Sequence, residues 1–144
     1  MSGPALKQLQ AHRAIHDAAY GEADELTTVA KRFAAAGNEQ AAIATASLLI
    51  EHWHTRTLRH AAEEEEGFYK EVASKYPEHA GDIFSLTRDH DLMRHLVAEA
   101  EERLATAGPL AAVLERFEML LWLVEKHSRE EELRLLDVQQ HDHV

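Results

Sequence analysis

The chain has 144 residues, a length suited to one domain with its own apolar core, and a formal net charge of −11 that argues against nucleic-acid and anionic-membrane partners. It contains no cysteine, which excludes disulfides, thiolate metal sites and a cysteine nucleophile, and fits a reducing, cytoplasmic setting. No apolar run reaches bilayer length, and the opening MSGPALKQLQ lacks the layout of a signal peptide; the enriched residue is histidine, at 11 copies against 15 Lys plus Arg.

Three breaks divide the sequence. Ala36-Gly37-Asn38 joins a glycine stop to an asparagine N-cap. Ser74 to Asp82 contains Tyr76-Pro77 and Gly81, and Ala107-Gly108-Pro109 sets glycine after one helix and proline at the start of the next. The intervals predict helices near 5–36, 39–74, 79–107 and 110–138, rich in Ala, Leu, Glu and Arg, with a frayed tail (QQHDHV) from about 138. Four long helices with short loops predict an all-α, antiparallel up-down four-helix bundle, a single domain over 1–144. The expected molecule is a monomer or weak homo-oligomer.

Stepping three and four residues at a time traces one seam per helix. The first reads Leu9, His12, His16, Ala19, Ala23, Leu26, Ala30, Phe33. The second reads Ile43, Ala46, Ile50, Trp53, Thr57, His60, Glu64, Phe68. The third reads Ile83, Leu86, His90, Met93, Val97, Ala100, Leu104, and the fourth Val113, Phe117, Leu120, Val124, His127, Glu131, Leu135. Every apolar seam is interrupted by histidine, and two of them also by glutamate.

A buried, unpartnered carboxylate costs several kcal/mol or titrates to its neutral form. Two of them beside five imidazoles conflict with a whole-domain stability of ~5–15 kcal/mol unless a cation compensates them. His60-Ala-Ala-Glu63-Glu64-Glu65 and His127-Ser-Arg-Glu130-Glu131-Glu132 share one frame, histidine followed four residues on by glutamate. That spacing stacks the two side chains on one helix face, with Cβ atoms roughly 5–6 Å apart, so that they can chelate one ion while the second carboxylate oxygen reaches another. His12 and His16 repeat the spacing on helix one, and His90 serves helix three. Imidazole and carboxylate donors without sulfur suit iron better than manganese, zinc or copper.

The two HxxxEE frames, with a histidine on each remaining helix, resemble the hemerythrin-like (HHE cation-binding) domain from His12 to about Leu136. The resemblance implies two iron ions with an oxo or hydroxo bridge, Glu64 and Glu131 as bridging ligands, and His60, His90 and His127 as matching histidines. Oxygen-carrying members usually have HxxxH on helix three. Here Arg94 stands four residues after His90, His95 falls off the seam, and the pair sits on helix one. Either both His12 and His16 are ligands or only one is, with a slight preference for His16.

Such a site takes a small diatomic ligand or peroxide. The expected lining is apolar, from Leu49, Ile50, Trp53, Met93, Leu120 and Val124, with Arg94 and Tyr20 as candidate catalytic groups. Polar donors beside a bound oxidant favour peroxide or NO chemistry over durable O2 carriage. The other readings are an O2 or NO carrier or sensor, and an iron-handling protein without turnover. Glu63, Glu65, Glu66, Glu130 and Glu132 read as a solvated face, with Glu63 or Glu130 available as acceptors for ligand N–H groups. His52, His54, His79, His95, His141 and His143 lie off the seams or in connections and tail, and read as ordinary surface histidines.

Overall fold

The computed structural model describes residues 9–136. The predicted helix start near 5, the last residues of the fourth helix, the tail from about 138, His141 and His143 lie outside them. The described residues are almost entirely helical and contain no strand. Helix α1 (Leu9–Ala35) ends at Gly37, whose φ of 78° suits a residue without Cβ. Asn38 then caps α2 (Glu39–His52), its side chain accepting from Ala41 N at 3.2 Å.

The second predicted helix is interrupted twice. A π-helical segment (Trp53–Leu58) separates α2 from α3 (Arg59–Glu66), and Gly67 separates α3 from α4 (Phe68–Lys75). Gly67 sits at φ −118°, ψ −81°, and a Cβ there would come within 3.3 Å of the Glu63 carbonyl oxygen. A 3₁₀ turn (Pro77–His79) leads into α5 (Ala80–Ala105). Helix α6 (Leu110–Glu131) runs directly into a second π segment (Glu132–Leu136). Each HxxxE frame thus adjoins a π segment. Such wide turns recur at functional sites.

The apolar core is split in two. One cluster gathers Ala23, Trp53, Met93, Phe117 and Val124 with their neighbours. The other joins Leu9, Phe68, Tyr69, Val72, Leu86, Leu135 and Leu136. Along each long helical run, the polar seam residues lie between these clusters: His12 between Leu9 and Ala23, His60 and Glu64 between Trp53 and Phe68, His90 between Leu86 and Met93, His127 and Glu131 between Val124 and Leu135. The fourth predicted seam is buried throughout. The second begins one residue early: Ile43 is 40% exposed, while Ala42, Ala46 and Leu49 are fully buried. The early turns of α2 face inward with alanines, so the larger Ile43 projects outward.

At the α5–α6 connection the left-handed residue is Ala107 (φ 56°), not Gly108. Gly108 N–H donates to Arg103 O at 2.8 Å and closes the helix end. An L-residue with a Cβ in this region is strained by ~1–2 kcal/mol, part of which glycine returns through unfolded-state entropy. Ala107→Gly is expected to stabilise the protein by about 1 kcal/mol, read as a higher denaturation midpoint with unchanged slope.

Candidate metal centre

Glu64 and Glu131 are each 1% exposed, at the middle of the bundle between the two apolar clusters. Four imidazoles surround them. His12 Nε2 lies 2.5 Å from Glu131 Oε1 and 3.5 Å from Glu64 Oε2, and His60 Nε2 is 3.6 Å from the same Glu64 oxygen. His90 Nε2 lies 3.3 Å from Glu64 Oε1, and His127 Nε2 is 3.5 Å from Glu131 Oε2. The donors form two overlapping groups with ligand atoms within 4.8 Å of one another: Glu64, His90, His127 and Glu131 in one, and His12, His60 and Glu64 in the other.

An outer ring of carboxylates fixes the rings. Glu65 accepts from His90 Nδ1 at 2.7 Å, Asp89 from His127 Nδ1 at 3.0 Å, and Glu132 from His12 Nδ1 at 3.3 Å. An ionised carboxylate only accepts, so Nδ1 carries the proton and Nε2 of a neutral ring presents a lone pair inward. His90 Nε2 and His127 Nε2 then face each other at 3.1 Å. Two lone pairs at that distance require a cation between them or a proton on one. Glu64 Oε2 is buried with no hydrogen-bond partner at all. Facing lone pairs, an orphaned carboxylate oxygen and an all-N/O donor set are what a borderline-hard cation such as iron satisfies.

A family model for the hemerythrin HHE cation-binding domain matches residues 9–138. The chain belongs to the hemerythrin HHE family. None of the curated proteins and none of the solved structures compared matches it. The family's cation-binding character and the buried His/Glu cluster agree.

Without metal, the hemerythrin-type cluster compensates its own charge. Burial disfavours a charged His12, but the adjacent Glu131 and Glu64 carboxylates outweigh it and push the ring up to about 10. For His127, burial is likewise overcome by Asp89 and then Glu131, to about 9. Burial opposes ionisation of Glu64, yet His12, His60 and His90 hold it well below the ordinary carboxylate range. His60 is raised by Glu64 against its burial, whereas His16 is lowered by burial and by the nearby His12. Protons on His12 and His127 therefore stand where a metal's charge would be.

The structure brings His12, His60, Glu64, His90, His127 and Glu131 together. It reverses the slight preference for His16. His12 is at the centre, while His16 lies one turn further out, its Nδ1 2.7 Å from Ser128 Oγ. Arg94 does not line the central cavity: its guanidinium reaches outward to Glu65 at 2.9 Å and Asp91 at 2.8 Å. Tyr20 packs beside His16, with ring centroids 6.2 Å apart, and is also absent from the cavity wall. Of the expected apolar lining, Met93 and Val124 face the cavity, while Leu49, Ile50, Trp53 and Leu120 belong to the core behind it. Ile15, Ala19, Arg56, Thr57 and Ala61 complete the wall.

The expected solvated face is also corrected. Glu65 and Glu132 hold the His90 and His12 imidazoles, while Glu63 is exposed and Glu130 pairs with Arg134 at 2.6 Å. Asp89 and Tyr69 were not anticipated. The signal for Asp89 was its place beside His90 on the turn that faces α6. Of the described off-seam histidines, His54, paired with Glu101, and His95 are exposed as expected, whereas His52, paired with Glu22, and His79, paired with Asp82, are half-buried, and His52 Nδ1 is buried without a hydrogen-bond partner.

Removing the carboxylate behind a ligand histidine frees the ring to rotate, so Asp89→Ala is expected to weaken metal affinity by ~10–100-fold while the helix content stays unchanged. Competitive chelator titration with circular dichroism checks both. The metal-free protein has its own signature. Folded-state values for His12 and His127 above the ordinary histidine value of 6.5 give stability that is fully present below 6.5 and lost as pH rises through about 9 and about 10. Denaturant titrations of metal-free protein should show stability falling across that window, and a rise there would contradict the ion-pair account.

Proposed function

We propose that the chain is a di-iron protein that reacts with a small oxidant or NO, peroxide or NO chemistry being favoured over O2 storage. The fold reading that goes with it is an antiparallel up-down bundle. Its support is the alternation of the two core clusters along successive helices: Leu9 precedes Ala23 in α1, Trp53 precedes Phe68, Leu86 precedes Met93, and Val124 precedes Leu135. His12 and His60 would hold one iron, His90 and His127 the other, with Glu64 and Glu131 shared and an oxo or hydroxo bridge completing the pair. His16 is the remaining candidate ligand, since it stands at the cavity wall beside His12.

The observation that carries the reactivity reading is the cavity that reaches the cluster. Its volume is about 60 Å³, room for a molecule of a few heavy atoms and not for an organic substrate. Iron supplies redox equivalents and Lewis acidity there. The residues of the chain select and orient what enters. Ile15, Ala19, Ala61, Met93 and Val124 exclude bulk water, and Thr57 and Arg56 place a hydroxyl and a guanidinium on the wall. Arg56, not Arg94, is the cation available to negative charge developing on a small ligand, although Glu22 shares it at 3.1 Å. Among the described residues no helix is long and apolar enough to cross a membrane. We place the protein in the cytoplasm, as a monomer or weak homo-oligomer without nucleic-acid or membrane partners.

Protein expressed with ample iron is expected to hold two irons per chain, and Glu64→Ala to hold one or none. Anaerobically reduced protein mixed in turn with O2, NO and hydrogen peroxide should turn over peroxide or NO. Reversible O2 uptake without turnover would make it a carrier, and fewer than two irons in the unsubstituted protein would end the di-iron reading.

A further inference from the structure

Tyr69 belongs to no seam and to no HxxxE frame, yet its side chain ends inside the cluster. It is 2% exposed, and its hydroxyl donates to Glu131 Oε2. The phenol ring stacks on His90, with planes 4° apart and centroids at 5.5 Å, and the phenol oxygen lies 3.4 Å from His90 Nε2. A hydroxyl has one proton to give, and the carboxylate is the nearer acceptor. His90 already donates through Nδ1 to Glu65, so its Nε2 faces the phenol oxygen as a lone pair.

This contact makes the two central carboxylates unequal. Glu64 meets imidazoles and the Glu131 carboxylate but no hydroxyl, and its Oε2 has no hydrogen-bond donor. Glu131 presents Oε1 to His12, but its Oε2, on the His127 side, has one lone pair committed to Tyr69. A hydrogen bond withdraws electron density from the oxygen that accepts it, and such outer contacts tune the donor strength of a metal ligand. Each half has two imidazoles beside these carboxylates, with outer carboxylates on His90, His127 and His12; the phenol is the hydroxyl donor that reaches a central carboxylate directly.

We propose that Tyr69 is a positioning residue of the metal site: its neutral phenol weakens Glu131 as a donor and makes the His90/His127 side the more electron-poor half. The proposal rests on the di-iron reading. Weaker donation from an anionic ligand favours the reduced metal, so the phenol raises the reduction potential of the pair. Phenylalanine matches tyrosine in shape and removes only the donor, leaving Glu131 Oε2 wholly available to the ion.

The test compares iron-loaded unsubstituted protein with Tyr69→Phe, by iron content, spectroelectrochemical midpoint potential, visible absorption and resonance Raman scattering. Iron content is expected to be equal, the potential lower in the variant, and air oxidation of the reduced variant several-fold faster. Biosynthetic incorporation of meta-fluorotyrosine, a more acidic and stronger phenol donor, is expected to raise the potential of the unsubstituted sequence and to leave Tyr69→Phe unmoved. That arm needs no substitution, so an absent shift overturns the proposal even if the variant fails to fold. Equal potentials in the two proteins overturn it as well. So does a phenolate-to-iron band that vanishes in the variant, which would make Tyr69 a ligand. Failure of the unsubstituted protein to take up iron would instead strike the di-iron reading on which the proposal stands.

Discussion

Two carboxylates at the centre of a helical core must meet positive charge there, and the placement of the other elements follows from that. Glu64 and Glu131 sit where water cannot solvate them, so each of four helical runs brings an imidazole to their level. The polar layer this creates cannot be crossed by apolar packing, which is why the core is two clusters and not one. Removing one partner from such a buried set leaves an uncompensated charge, a change that typically costs ~3–5 kcal/mol. The bundle is therefore tied at its middle by electrostatics and at both ends by the hydrophobic effect.

The imidazoles are in turn oriented from outside. Glu65, Asp89 and Glu132 stand at the boundary with solvent, each accepting one Nδ1 proton. Arg94 acts at one further remove, since it shares the Glu65 oxygen that holds His90. The two halves of the cluster differ in this support. His90 and His127 are braced by Glu65, Asp89 and Tyr69, whereas His60 is partly open and faces the cavity beside His12. All four imidazoles line the same cavity, whose wall continues through Ile15, Arg56 and Thr57.

Most of this frame was legible in the sequence, because periodicity reports burial and the burial of charge reports chemistry. The four seams, the capped turn at Gly37-Asn38 and the six clustered residues all follow from three- and four-residue steps. What remained hidden had physical reasons. A π turn uses the same residue types as an α turn, so nothing announced Trp53–Leu58. Glu65, Asp89 and Glu132 resemble the other acids of a chain that has 26; only a histidine opposite distinguishes them, and that is a tertiary fact. Tyr69 is five residues beyond Glu64, which on an unbroken α-helix points to another face, and the kink at Gly67 turns it inward. Arg94 shares a face with His90 as the spacing says. A long flexible side chain leaves its charged end free to choose, and it chose Glu65 and Asp91 at the solvent edge.

Buried carboxylate charge of this kind has two remedies, a metal ion and protons on the neighbouring imidazoles. Two carboxylates among imidazoles can be neutralised by protons, and the neighbouring carboxylates raise His12 and His127 against their burial. A cluster balanced by protons does not depend on a metal for its charge compensation, in contrast to small domains whose metal is their folding energy. Within each of its two groups the donor atoms already lie within 4.8 Å of one another, so the entropy of assembling four helices is not set against metal binding. The consequence is competition: an ion must displace protons that the site itself holds firmly. Loading is favoured by rising pH across the same range in which the metal-free cluster loses its ion pairs. Proton and metal are alternative occupants of one compensated charge site, and the fold is built around the carboxylates that both of them serve.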